Sequence, residues 1–138
     1  MIPGISDWEL LTIDKPSRYI GGEWNQPADK PQAEVRVCLA FPDIYELGMS
    51  NFGLKILYER LNALPWAQAE RVFSPWVDFE DLLRRKQIPL FALESRRPIR
   101  DFDLFGITLP YEMTFTNVLN LLELSYIPVL AKDRCGGP

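Results

Sequence analysis

Three short strand candidates stop at or just before a proline, and a helix-period pattern follows each. Residues 35–41 are rich in Val and Leu, carry one Arg, and end at Pro42. Residues 70–73 precede Pro75, and residues 104–109 end at Pro110. Such runs fit buried strands. After the first, Ser50 stands where a cap belongs, and Leu54, Leu57, Tyr58 and Leu61 fall at i, i+3, i+4 and i+7, which predicts a helix to about residue 63. After the second, Asp78 and Asp81 open a helix that Arg84, Arg85 and Lys86 close, charge placements that suit the helix dipole. After the third, Phe115, Val118, Leu119 and Leu122 form the stripe of a helix over 112–125. Leu121 and Leu124 widen that stripe, so burial on more than one side is expected.

Strands alternating with helices in this way indicate an α/β fold, a Rossmann-like parallel sheet with right-handed crossovers and helices on both faces. A weaker strand is predicted at 90–93, giving about four. A doubly wound domain has about five or six, so the sheet reads as truncated and its last edge as open to self-association.

Residues 1–34 hold Pro3, Pro16, Pro27, Pro31 and the pair Gly21-Gly22. They read as an irregular leader lying across the domain formed by 35–138. Tyr19, Ile20 and Trp24 are its expected anchors, and Trp66 and Trp76, beside prolines, are expected to pack. Net charge is −4, with 47% apolar residues. That is globular composition, and it disfavours a nucleic-acid binder. The basic clusters Arg84-Arg85-Lys86 and Arg96, Arg97, Arg100 read as solvated charge. The absence of histidine excludes a Ser-His-Asp triad, histidine-ligated zinc and any histidine-ligated cobalt or haem. Two cysteines cannot build a disulfide framework. Cys38 reads as core, Cys135 as exposed. With no secretory signal and no long apolar run, a cytoplasmic protein without a membrane partner is expected.

In an open α/β sheet, ligands bind at the carboxyl ends of the strands. Two loops occupy that edge, 41–53 and 108–114, and each leads into a helix whose first amides suit anions or polar ligand edges. The first contains Asp43-Ile-Tyr45-Glu-Leu-Gly48, then Met49 and Ser50. Gly48 permits close approach by backbone or ligand. Asp43, Glu46 and Glu112 are the carboxylates on the edge. The spacing is neither G-x-G-x-x-G nor a P-loop. A βα turn with a capping serine accounts for it equally well.

Several blocks in order resemble one family. They are Lys15-Pro-Ser-Arg-Tyr-Ile-Gly-Gly-Glu-Trp-Asn25, Ala40-Phe-Pro-Asp-Ile-Tyr-Glu-Leu-Gly-Met-Ser50, Gly53-Leu-Lys-Ile-Leu-Tyr58, Glu70-Arg-Val-Phe-Ser-Pro-Trp76, Pro89-Leu-Phe-Ala-Leu-Glu-Ser95, Asp101-Phe-Asp-Leu-Phe-Gly-Ile-Thr-Leu109 and Thr116-Asn-Val-Leu-Asn120. Together they resemble the N-terminal region of the cobalamin-binding-domain radical S-adenosylmethionine proteins, a large bacterial group. The resemblance implies a cobalamin-binding type of Rossmann-like domain. Asp43, Tyr45, Gly48, Met49 and Ser50 would then be cofactor contacts, with Thr108 and Leu109 at the second strand end by pattern. Histidine-ligating cobalamin domains carry D-x-H-x-x-G, and here Tyr45 takes the histidine position. The family's four-iron four-sulfur cluster and its S-adenosylmethionine need C-x-x-x-C-x-x-C, which Cys38 and Cys135 do not form. The resemblance thus implies a noncatalytic portion whose partner is the remainder of the radical enzyme, in cis or as a split subunit. The other reading is a cofactor-free Rossmann-like module for folding or docking.

Overall fold

The computed structural model describes residues 2–138. Strand β1 (Val35–Phe41) lies between β2 (Ala67–Phe73) and β3 (Leu104–Ile107), and all three run parallel. β1 is central because it is apolar on both sides of its pleat. Val37, Leu39 and Phe41 enter one core with Leu54, Tyr58, Ala69 and Phe73. Cys38 and Ala40 enter the other with Val72, Phe79, Leu83 and Leu121. That alternation is the strand period of two.

Helix α2 (Tyr45–Ser50) follows β1 directly, and α3 (Phe52–Asn62) packs on one face of the sheet. Helices α4 (Val77–Lys86) and α5 (Phe115–Leu124) cover the other face. They are tied together by Arg84, which donates to Asn120 Oδ1 at 2.7 Å and pairs with Glu123 at 2.9 Å. No helix among the described residues is long and apolar enough to cross a membrane.

The α/β fold with helices on both faces is as expected, but the sheet has three strands rather than about four. Residues 90–93 form no strand. They make one isolated antiparallel bridge, Phe91 to Pro98, and Leu90, Phe91 and Ala92 are buried as core filling. Their apolarity reports burial, which strands and loops share. The helix expected from Ser50 to about 63 is two helices. Asn51 is extended (φ −76°, ψ 116°) and caps α3 through Oδ1, which accepts from Leu54 N at 2.9 Å. Ser50 ends α2, its hydroxyl donating to Leu47 O at 2.9 Å. The expected strand at 70–73 begins three residues earlier, at Ala67. The expected strand over 104–109 stops at Ile107. The expected helix over 112–125 opens with a 3-10 turn, Glu112–Thr114, before α5 begins.

The leader is less irregular than its prolines suggest. It holds a short helix α1 (Asp7–Leu11) with a Ser6/Glu9 capping box, and Ile2, Ile5 and Ile13 belong to the main core. Tyr19 is an anchor, stacked on Phe79 with centroids 3.8 Å apart. Trp24 is fully exposed at 103%, and Ile20 is half exposed. Trp66 and Trp76 are also nearly half exposed, and Arg18 lies over the Trp76 ring at 5.6 Å. The basic clusters are committed within the chain: Arg85 pairs with Asp81 at 2.8 Å, Lys86 with Glu9 at 2.7 Å, and Arg96 donates to the Leu93 and Ile20 carbonyls.

β2 is an edge strand by topology, yet its outer edge is closed. Asn62 Nδ2 donates to Ala69 O at 3.0 Å, and Asn62 Oδ1 accepts from Ala69 N at 2.9 Å. Glu94 Oε2 accepts from Arg71 N at 2.7 Å, and Arg71 O accepts from Leu93 N at 2.7 Å. Lys30 Nζ donates to Ala67 O at 2.9 Å. Side chains and one loop thus do the work of a neighbouring strand. β3 pairs only with β1 among the described residues.

Candidate functional site at the carboxyl edge of the sheet

β1 and β3 each end in a proline-broken loop, and the two loops meet. The Tyr111 hydroxyl donates to Asp43 Oδ2. That bond pushes the Tyr111 phenol above its ordinary range. Asn117, from α5, donates its Nδ2 to Pro42 O at 2.8 Å. Thr108 donates both its amide and its hydroxyl to Ala40 O, each at 3.0 Å, which fixes the end of β3 against β1. Leu109 follows and is exposed. The crevice between β1 and β3 is therefore spanned by this chain's own polar groups. Sequence reasoning reached Asp43, Thr108 and Leu109, but it named neither Tyr111 nor Asn117. No spacing rule pairs residues 43 and 111.

Tyr45 turns away from that crevice. Its hydroxyl donates to Glu23 Oε1 at 2.6 Å, and its ring meets Phe73 edge-on at 5.5 Å. Burial, then Glu23, pushes its phenol up to about 12, so at neutral pH it stays protonated and remains a donor. Glu46 receives two charged bonds from Arg18, at 2.9 and 3.0 Å. Those bonds hold its carboxyl below the usual range. Met49 Sδ accepts from Arg71 Nη1 at 3.4 Å.

Gly48 has a specific reason to be glycine. A Cβ there would lie 2.2 Å from the Phe73 ring and 3.2 Å from Phe41 Cβ. Its close approach is to the protein's own aromatic ring. Behind the turn, under Arg18, Tyr19 and Tyr45, a cavity of about 30 Å³ remains, room for a water or two rather than an organic cofactor.

The outer side of this edge is apolar and open. Leu47, Phe52, Leu109, Tyr111, Met113 and Phe115 are each between 44% and 83% exposed.

A family model described as "Radical SAM proteins, N-terminal" matches residues 53–137. The chain belongs to that family. No curated protein and no solved structure matches it. The matched stretch of this radical SAM N-terminal chain runs from α3 to the C-terminal tail, so it includes β3 and the loop carrying Tyr111. The β1 turn with Asp43, Tyr45 and Gly48 lies ahead of it. Cys38 is fully buried in β1 and its thiol is pushed well up by burial, while Cys135 is exposed. Among the described residues no cluster of His, Cys, Asp or Glu could hold a metal ion.

Proposed function

We propose that this chain is the noncatalytic N-terminal part of a radical S-adenosylmethionine enzyme. The carboxyl edge of β1 and β3 forms one wall of a cofactor cleft, and the part bearing the cluster supplies the other wall. The chain has two cysteines, so the three that hold a four-iron four-sulfur cluster, and the S-adenosylmethionine bound to it, belong to that other part. The observation that carries this reading is the exposed apolar rim of Leu47, Leu109, Met113 and Phe115 around a crevice already closed by Asp43 and Tyr111.

Cobalamin is the cofactor that the family resemblance implies, with Asp43, Tyr45 and Gly48 among its contacts. These residues do not fit a cobalt held by a protein ligand. Tyr45 donates a hydrogen bond to Glu23 and stays a neutral phenol, and the chain has no histidine. A corrin would instead rest against the exposed apolar side chains Leu47, Leu109, Met113 and Phe115, outside the crevice that Asp43 and Tyr111 close. When bound, cobalamin supplies carbon–cobalt bond chemistry. This chain's own residues bind and orient it and exclude water. Free cysteines suit a reducing, cytoplasmic location.

A second reading, a docking module that holds no cofactor, is favoured by Gly48, whose space is filled by Phe73. Titration with hydroxocobalamin separates the two. A protein comprising this chain and the cluster-bearing part is expected to retain cobalamin through gel filtration. Its reduced cobalt signal should show no protein nitrogen. Failure to retain any cobalamin would leave the docking reading standing alone.

The isolated chain is expected to self-associate, because β3 pairs only with β1 among the described residues and its first residue, Leu104, is exposed. Light scattering across a wide concentration range checks this, and a constant monomer mass would contradict it.

A further inference from the structure

Helix α2 has six residues and no side-chain cap at Ile44. A helix that short is not stable alone, since nucleation costs more than its few hydrogen bonds return. Something outside it must hold it, and the leader does. Glu23 Oε1 accepts from the Tyr45 hydroxyl at 2.6 Å. Arg18, itself only 7% exposed, pairs with Glu46 at 2.9 Å. Asn25 Oδ1 accepts from Arg71 Nη1 at 3.3 Å, and the same nitrogen donates to Met49 Sδ. The leader therefore bonds residues 45 and 46 of α2 directly and is linked to residue 49 through Arg71 of β2. Positions 45 and 49 lie one turn apart on the same side of the helix.

The strap is anchored independently of α2. Tyr19 stacks on Phe79, and its hydroxyl oxygen accepts from Trp76 N at 2.9 Å. Lys30 Nζ donates to three carbonyls, of Asn62, Leu64 and Ala67, at 2.6 to 2.9 Å. Between these two pins, residues 20–29 span the turn.

We infer that Glu23 and Arg18 are positioning residues of the β1–α2 turn: the leader is a strap that orders α2 and so sets the shape of the cleft wall. Its bearing on a ligand rests on the cofactor-cleft reading above, whereas its bearing on α2 does not.

The test is amide hydrogen exchange on this chain with Glu23→Ala. Residues 46–50 are expected to exchange about fivefold faster, the loss of one hydrogen bond, with β1 and β2 unchanged, because α2 opens as a local unit. Glu23→Gln keeps an acceptor and is expected to restore most of the protection. Exchange at 46–50 unchanged by Glu23→Ala, or acceleration equal in β1 and β2, overturns the inference. Should Glu23→Ala fail to fold, Tyr45→Phe removes the same bond while keeping the ring and is read in the same way. A parallel hydroxocobalamin titration of the longer protein separates the two ideas. Faster exchange with cobalamin never bound leaves the strap standing and removes the cofactor reading. Faster exchange with weakened binding supports both.

Discussion

Replacing Glu94 by alanine is expected to cost about 3–5 kcal/mol of folding stability, a large share of what a domain of this size holds. Glu94 lies beside β2 with its side chain 5% exposed, and it accepts from Arg71 Nε at 2.7 Å. Its other oxygen accepts the Arg71 backbone amide at 2.7 Å. The substitution removes the partner of a guanidinium that is 1% exposed and lies 4.1 Å from the Tyr58 ring centre. The ring compensates only part of the charge. Burial pushes the Glu94 carboxyl up despite Arg71, so desolvation outweighs the attraction of the pair. Removing both charges should accordingly be far milder than removing one. The pair Arg71→Met with Glu94→Leu is expected to recover part of the loss. It should not recover all, because the Arg71 amide still loses its acceptor. Urea unfolding midpoints of Glu94→Ala and of the double variant check this. A Glu94→Ala change below about 1 kcal/mol would contradict a closed ion pair here.

Gly48→Ala is expected to destabilise by about 1–3 kcal/mol through overpacking. Alanine's intrinsic helix advantage over glycine is about 1 kcal/mol and opposes this. Overpacking wins because the new Cβ would meet Phe73 Cε1 and Cδ1 at 2.2 and 2.3 Å. Phe73 is 7% exposed at the end of β2 and is held edge-on by Tyr45, so it has little room to yield. Introducing Phe73→Leu into Gly48→Ala is expected to return part of the lost stability, measured against Phe73→Leu alone. If the double variant shows the same increment as Gly48→Ala in the parent, the ring is not what requires glycine. The outcome also bears on function. A ligand lost in Gly48→Ala but regained in the double variant would mean that the glycine shapes the wall without touching the ligand.

Both experiments concern residues whose type was legible and whose reason was not. Gly48 stood out as a place of close approach, and it is one, but the approaching group is Phe73, distant in sequence. The strand expected over 70–73 begins at Ala67 in the structure. In the fold Gln68, Glu70 and Arg71 are all buried, because Lys30 N donates to Gln68, Ser95 N to Glu70, and Glu94 pairs with Arg71. A polar side chain reads as exposed until its partner is known. Trp24 failed in the opposite sense: a large ring in a dense motif, left in solvent because the neighbouring Glu23 and Asn25 make the contacts.

What local chemistry dictates was readable directly. Apolar runs ended by proline are β1 and β3, and the charge-biased and apolar stripes are α4 and α5. Their alternation forces parallel strands, since consecutive strands joined through a helix return in the same direction. Two cysteines and no histidine limit the metal chemistry whatever the fold. The closure of the crevice by Asp43 and Tyr111, the capping of β2 by Asn62 and Glu94, and the hold of Glu23 and Arg18 on α2 are different in kind. Each joins residues separated by at least seven positions, most by more than twenty. No period or propensity encodes such pairs. They exist only once packing has brought the segments together and desolvation has made leaving them unpaired too costly.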